Sequence, residues 1–216
     1  MTKAVLFDLD GTIMNTIEDI TSAINVTFTH FGYKSFTVED CIKVINRGAR
    51  QLIKDALLPL VLPEEKFSEV FAFYVKTYSQ NPCNLTHLYD GIEDVIITFK
   101  NNGYKVGVVT NKHLSITQQI LKEKLPSVQF DGIIGIEEGV IPKPDPTATL
   151  KLLNQIGVEP KNAYLVGDGD TDVLTATNAK VNGIAVLWGY RNKQALQQVG
   201  ANIFASNPND LLKIIL

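Results

Sequence analysis

The chain has 216 residues, 45% of them hydrophobic and 20% charged, with a formal net charge of -3. That length and balance suit one large domain, or one domain with an insertion, able to fold without a disulfide or metal staple. There is no basic surplus to support nucleic-acid binding or a polybasic membrane contact, and no stretch approaches the roughly 18 apolar residues of a membrane span.

In chain order, the first apolar run is residues 4–9, a short strand ending on acidic turn residues. Residues 17–31, 38–45, 51–58 and 65–78 then carry helical periodicity, punctuated by Pro59, Pro63 and Pro82. Asp90-Gly91-Ile92-Glu93 predicts a capping box, with Asp90 as N-cap and Glu93 at N3, for a helix through Phe99 that stops near Gly103. Strands are expected over 105–110, 132–136, 163–166 and 184–187, and helices over 114–125, 147–156 and 171–179. Gly157 and Gly183 sit where helices would end. Continuous apolar strands alternating with helices mean an α/β fold, a Rossmann-like parallel sheet with helices on both faces.

The first strand ends near Asp10 and the next begins near Lys105, far more chain than one crossover takes. The helical residues between them read as an inserted all-helical domain. We expect a core domain of residues 1–14 and 82–216 and a helical domain of residues 15–81, with linkers near 12–16 and 79–88.

Cys41 and Cys83 make no disulfide framework and fit a reducing compartment. His30, His87 and His113 stand far apart and pair with neither cysteine at zinc-ligand spacing. The opening apolar run stops at Asp8, too short for a signal-peptide core, so a cytoplasmic setting is expected.

Ligands of open parallel sheets bind at the carboxyl ends of the strands. At those ends stand Asp8 and Asp10, Thr110 with Asn111 and Lys112, Lys143 before a helix, and Asp168 and Asp172. Two unit charges 4 Å apart repel by about 4 kcal/mol at an effective dielectric of 20, so gathered carboxylates need a cation or raised pKa values. Oxygen-only ligands favour a hard ion such as magnesium, and Lys143 adds a compact positive charge. Carboxylates, a hard cation, a lysine and the neutral donors Thr110 and Asn111 together suit phosphoryl transfer. If the strand continued to Asp10, Asp8 and Asp10 would point the same way, one to attack phosphorus and one to handle the leaving-group proton.

These motifs resemble those of the haloacid dehalogenase superfamily of phosphohydrolases. The likeness spans nearly the whole chain: Asp8-Leu9-Asp10-Gly11-Thr12, then Thr110, then Lys143, then Gly167-Asp168-Gly169-Asp170-Thr171-Asp172. The helical insertion is similar to that family's mobile helical cap of the first type. Within the superfamily the chain is most like the phosphoglycolate phosphatases, through Asn46-Arg47-Gly48-Ala49 in the cap and looser matches at Trp188-Gly189-Tyr190 and Gly200-Ala201-Asn202. It departs from the family where Asn15-Thr16 replaces Asp-Ser, Asp90 stands for the usual proline, and Gly169 replaces Ser or Thr.

The resemblance implies a Mg2+-dependent phosphatase of small phosphorylated metabolites, phosphoglycolate-like, working through an aspartyl-phosphate. Asp8 would be nucleophile and metal ligand. Asp10 would be acid and base, its carbonyl on the metal. Thr110 would bind phosphoryl oxygens and Lys143 would neutralise charge. Asp168 would bind metal directly, and Asp172 would support the metal site. Asn111 and Arg47 are further substrate-binding candidates; Arg47 and Arg50 could grip a carboxylate or second phosphate, or simply be a solvated helix start. Lys112 and His113 read as a solvent-facing helix start, with the site entrance as the alternative. Trp188 and Tyr190 read as packing, and Glu18 and Asp19 as surface charges.

A phosphomutase of the same superfamily would use the same Asp8 and Asp10, and a pyrophosphatase is a further alternative. A dehalogenase would not need the full set of acidic metal ligands. A phospho-accepting receiver domain shares the acidic residues, Thr and Lys but needs no helical insertion of roughly 65 residues.

Overall fold

The computed structural model describes residues 2–216. β1 (Ala4–Phe7) is fully buried. Val5 and Phe7 enter the core on one face of the sheet, and Ala4 and Leu6 enter a second cluster on the other. A strand covered on both faces needs an apolar residue at every position, which is why this segment reads as an unbroken run.

After β1 come β2 (Met14–Asn15), α1 (Ile17–Phe31), α2 (Val38–Val44), α3 (Ala49–Ala56), α4 (Glu64–Gln80) and β3 (His87–Leu88). The rest alternates: α5 (Ile92–Asn101), β4 (Lys105–His113), α6 (Leu114–Lys124), β5 (Gly132–Ile136), α7 (Thr147–Gln155), β6 (Ala163–Gly167), α8 (Asp170–Ala179) and β7 (Asn182–Val186). α9 (Lys193–Gln198), β8 (Phe204–Ala205) and α10 (Pro208–Ile215) complete it. Six strands form one sheet in the order β5-β4-β1-β6-β7-β8, with every neighbouring pair parallel. From β1 the chain builds outward through β4 to β5; from β6 it builds the other way. The direction reverses at the β1–β6 pair, the place where doubly wound sheets open a crevice beyond their carboxyl ends. No helix among the described residues is long and apolar enough to cross a membrane.

The helical insert, α1 to α4, lies between β1 and β4, with α1 packed on α4 and α2, and α3 packed on both α2 and α4. Its two connections to the sheet pair with each other: β2 runs antiparallel to β3, with Met14 opposite Leu88 and Asn15 opposite His87. Asp19, expected at the surface, is buried at 5% exposure and ties these connections together. Its carboxylate accepts from the Leu85 and Thr86 backbone N–H groups and from the Thr86 hydroxyl, at 2.7–3.1 Å. A helical period marks which face a residue is on, but not whether a distant loop covers that face.

Two expected helix boundaries differ from the structure. The cap of α5 is Gly91 at φ +82°, a left-handed value that glycine takes without strain, and no side chain caps this end. Asp90 is therefore not the N-cap, and Glu93 instead accepts from the Ser127 hydroxyl. Gly183 lies inside β7 rather than at a helix end; α8 finishes at Lys180 in a left-handed conformation. A Cβ at Gly183 would come within 2.9 Å of the Ala176 methyl, so glycine there lets α8 lie close on β7. The pieces after β7 were not expected from sequence.

Candidate active site

The backbone of Asp8 still belongs to the sheet, its N–H donating to the Val166 carbonyl at 2.9 Å. The chain then folds back on itself. The Leu9 carbonyl accepts from Thr12, Ile13 and Met14, and Gly11 sits at φ +83°. The strand thus stops short of Asp10, and the expectation that strand alternation would align the two carboxylates is not met; the turn brings both to one cavity instead. A Cβ on Gly11 would lie 2.3 Å from Asp168 Oδ2, so this turn needs glycine for space as well as for its φ.

Asp8, Asp168 and Asp172 come together from the ends of β1 and β6 and the start of α8. Each offers a carboxylate oxygen, and the three lie within 4.8 Å of one another. All three are buried, Asp168 completely. Thr12 Oγ1 donates to Asp168 Oδ1 at 3.3 Å, and the Tyr190 N–H donates to Oδ2 at 2.8 Å. The Gly169 N–H donates to Asp172 Oδ2 at 2.9 Å, closing the first turn of α8. Gly169, not Asp168, is the N-cap of α8, so Asp168 is left free to face the site.

Lys143 supplies the positive charge. Its ammonium lies 2.9 Å from Asp8 Oδ1 and 2.6 Å from Asp172 Oδ1, and donates to the Val109 carbonyl at 3.0 Å. Burial works against its charge, but Asp172 and Asp8 overcome that and raise its pKa above the ordinary lysine value. Burial pushes Asp8 up to about 6, reinforced by the charges of Asp172 and Asp10 and opposed by Lys143. Asp168 is raised well above the ordinary carboxylate value, again by burial first and then by Asp172 and Asp8. One ammonium does not balance three buried carboxylates.

Asn111 holds this lysine in place. Its amide accepts from the Lys143 N–H at 2.7 Å and donates to the Lys143 and Asn46 carbonyls, both at 3.1 Å. Its side chain is therefore committed to protein partners, contrary to the expected donor toward substrate. Thr110, 4% exposed, borders the cavity. Its hydroxyl accepts from the Lys112 N–H at 3.2 Å, which leaves the O–H free as a donor.

Asp10 has a partner the sequence did not reveal. Lys112 Nζ donates to both its oxygens, at 2.8 and 3.0 Å, and the Thr16 hydroxyl donates to Oδ1 at 2.7 Å. The Tyr190 hydroxyl in turn accepts from the Thr16 N–H at 2.9 Å. Lys112 is 8% exposed and lies in β4, so the solvent-facing helix start is corrected: the strand runs past its expected end at 110, with a register irregularity between Val109 and His113. His113 is exposed and borders the same cavity. Trp188 Nε1 donates to the Thr12 carbonyl at 3.0 Å, so the Trp188–Tyr190 segment both packs and braces the loop after β1.

The cavity, about 420 Å³, lies between the sheet ends and the helical insert. Its walls are largely apolar, with Ile20, Ile45, Leu52 and Phe71 among them. The Asn46 loop closes one side, its carbonyl bonded to Asn111 and its own side chain buried without partners. Arg191 fastens this loop from the sheet side by donating to the Ile42 and Ile45 carbonyls, the latter at 2.8 Å. Arg47 borders the cavity but its side chain is 61% exposed and lies 3.6 Å from Asp170; Arg50 pairs with Glu64.

The acidic group fits a hard divalent cation. Its donors are all carboxylate oxygens, it carries surplus buried negative charge, and Asp8 Oδ1 has ionic contact with Lys143 but no aligned hydrogen bond.

Comparison with known proteins agrees with this geometry. Residues 5–186 match the haloacid dehalogenase-like hydrolase family. Phosphoglycolate phosphatase 1 of Pseudomonas aeruginosa is 31% identical over 97% of this chain and 78% of its own length. The phosphoglycolate phosphatase of Aquifex aeolicus is 32% identical over 99% of this chain and 96% of its own. A solved structure of a predicted phosphoglycolate phosphatase from Haemophilus somnus superposes with a TM-score of 0.91 at 26% identity, covering 100% of this chain and 98% of that one. With its parallel sheet, helical insert and buried aspartate cluster, the chain belongs to the haloacid dehalogenase-like hydrolases, in the phosphoglycolate phosphatase family.

Proposed function

We propose that this protein is a magnesium-dependent phosphatase of small, phosphoglycolate-like phosphate monoesters, acting through an aspartyl-phosphate on Asp8. The observation that carries the reading is the Asp8–Asp168–Asp172 cluster, with Lys143 bonded into it, at the edge of a cavity that also holds Asp10 and Thr110.

An ionised Asp8 oxygen attacks phosphorus, and the bond from phosphorus to the leaving oxygen breaks. Asp10 gives that oxygen a proton, then takes one from the water that attacks the phosphorus of the acyl phosphate. Phosphate departs and the Asp8 carboxylate is restored. Lys143 holds Asp8 in place and offsets charge gathering on the phosphoryl oxygens, and the Thr110 hydroxyl donates to one of them. Asp8, Asp168 and Asp172, with the Asp10 carbonyl, would hold magnesium. When bound, the ion supplies charge neutralisation for the carboxylates and the phosphoryl group. The helical insert covers the site and keeps bulk water from the intermediate.

The test is phosphate release from phosphoglycolate, pyrophosphate, sugar phosphates and a chromogenic ester, each with magnesium and with EDTA. Magnesium-dependent release from the small monoesters is expected. Release that EDTA leaves unchanged would overturn the metal assignment, and turnover of pyrophosphate alone would overturn the monoester one.

A further inference from the structure

The loop of residues 45–48, between α2 and α3, reaches from the helical insert to the sheet domain, and three parts of that domain hold it. The Asn46 carbonyl accepts from the Asn111 amide at 3.1 Å and from the Thr171 hydroxyl at 3.4 Å, while Arg191 donates to the Ile42 and Ile45 carbonyls. Asn46 itself is at φ +97°, a left-handed value that favours glycine. Its side-chain amide is buried, and neither polar atom has a hydrogen-bond partner among the described residues. That amide lies against Gly169, the N-cap of α8: a Cβ at Gly169 would come 2.6 Å from Asn46 Nδ2 and 3.2 Å from its Cγ. Gly169 has φ -104° and ψ 159°, extended backbone that any residue adopts, so its conformation does not call for glycine. The missing side chain makes room for Asn46 instead. Position 169 is also a point where this chain has glycine in place of Ser or Thr.

We infer that Asn46 and Gly169 are a matched plug and socket, and that Asn46 is a positioning residue: seated in the socket, it fixes the Asn111 amide and, through it, Lys143. The inference rests on the phosphatase reading above, in which Lys143 holds Asp8 in place. Asn111 is the link. Its oxygen accepts from the Lys143 N–H at 2.7 Å, and its nitrogen donates to the Lys143 and Asn46 carbonyls, both at 3.1 Å. When Asn46 withdraws, the Asn111 amide loses one of its two acceptors and is less firmly oriented. The Lys143 ammonium lies 2.9 Å from Asp8, so that loss is felt at the nucleophile. The seat is finely balanced. An unbonded buried amide and a left-handed backbone at a residue with a side chain both oppose it, and the contacts from Asn111, Thr171 and Arg191 hold it down. The fit belongs to the pair, so a change at one residue is answered at the other.

The experiment is a double-mutant cycle on the full chain: parent, Gly169→Ala, Asn46→Gly and the two together. Two quantities are read. One is the rate of phosphate release from phosphoglycolate in a single turnover, with enzyme in excess and magnesium present, which leaves out product departure. The other is amide hydrogen exchange at Arg47 and Gly48 without substrate. Gly169→Ala fills the socket and drives Asn46 out, so the single-turnover rate should fall about tenfold or more and both amides should exchange faster. Asn46→Gly removes the plug but keeps the carbonyl and suits the left-handed backbone, so its own effect should be small. In that background the added methyl meets no side chain, and the double variant should recover most of the rate and the slow exchange. The methyl lies near Asp172 in both backgrounds, so the coupling between the two changes is the readout. Arg191→Met frees the loop from the other side without touching Gly169; it should lower the rate and speed the same amides, and it reports even if Gly169→Ala folds poorly. Equal losses from Gly169→Ala in the two backgrounds, or faster exchange in Arg191→Met with an unchanged rate, overturn the inference and leave the phosphatase standing. No magnesium-dependent release from any ester by the parent overturns the phosphatase reading, and the positioning role with it.

Discussion

The Lys143 ammonium lies 2.6 Å from Asp172 Oδ1, and the two side chains are 2% and 3% exposed. The same ammonium touches Asp8, so a single buried cation stands among three buried carboxylates. Removing one partner of such a group leaves charge that neither water nor protein compensates. Lys143→Met should therefore lower stability in EDTA by about 3–5 kcal/mol. Magnesium should recover part of the loss, because an ion supplies charge to the same oxygens. Activity should fall by about a hundredfold or more even with magnesium. Urea unfolding with and without the ion checks this; the same midpoint for variant and parent in EDTA would show that the pair does not support the fold.

Asp8→Asn separates chemistry from folding. The amide cannot form the acyl phosphate, so turnover should disappear. The ionised form of Asp8 is disfavoured by burial and by Asp172 and Asp10, so a neutral side chain should not destabilise the protein and should raise its metal-free midpoint. Turnover by a purified variant free of contaminating phosphatase, or a large drop in melting temperature, would contradict the assigned role.

The same burial sets a pH dependence. Asp8 is raised from 3.8 to about 6, so between those values the native state keeps a proton that the unfolded chain gives up. Where the native state binds more protons, stability falls as pH rises. Asp168, also raised, acts in the same direction. The metal-free protein should lose stability from this site as pH climbs through about 6, and the destabilisation is fully present above it. Magnesium favours the ionised carboxylates, so the melting-temperature gain it gives should be small near pH 4.5 and grow through about 6. Titrations elsewhere cancel in the difference between magnesium and EDTA. A gain that stays flat from about pH 4.5 to about pH 8 would contradict the cause assigned to the shift.

The parts legible in the sequence were those with a local signal. Strands buried on both faces show as apolar runs, and the acidic residues follow them directly, so the sheet and the Asp8, Asp168 and Asp172 cluster could be read one strand end at a time. Much of what could not be read depended on contacts across long separations. Lys112 looked solvent-facing because nothing near it in sequence shows that Asp10, 102 residues earlier, takes its charge. Asp90 looked like a cap because its side chain suits one, yet the turn takes the left-handed backbone that Gly91 permits. Asn111 was expected to serve substrate, and only the fold shows its amide used up by Lys143 and Asn46. β8, at two residues, is too short to carry a period.

Asp19 braces the two connections between insert and sheet. It sits in the first turn of α1, and all its partners lie on the return connection to the sheet. Two backbone N–H groups and one hydroxyl share its carboxylate. Asp19→Ala leaves the buried Thr86 N–H without its acceptor and the Thr86 hydroxyl with only the Pro82 carbonyl at 3.4 Å, at a cost of about 1–3 kcal/mol. Asp19→Asn keeps one oxygen and should cost less. The damage should be local as well as global, because the strut joins the two segments that link insert and sheet. Amide hydrogen exchange at Leu85 and Thr86 should accelerate in Asp19→Ala by more than at Phe7 or Val108 in the sheet. Uniform acceleration along the chain would mean that Asp19 contributes to overall stability without holding the two connections to each other.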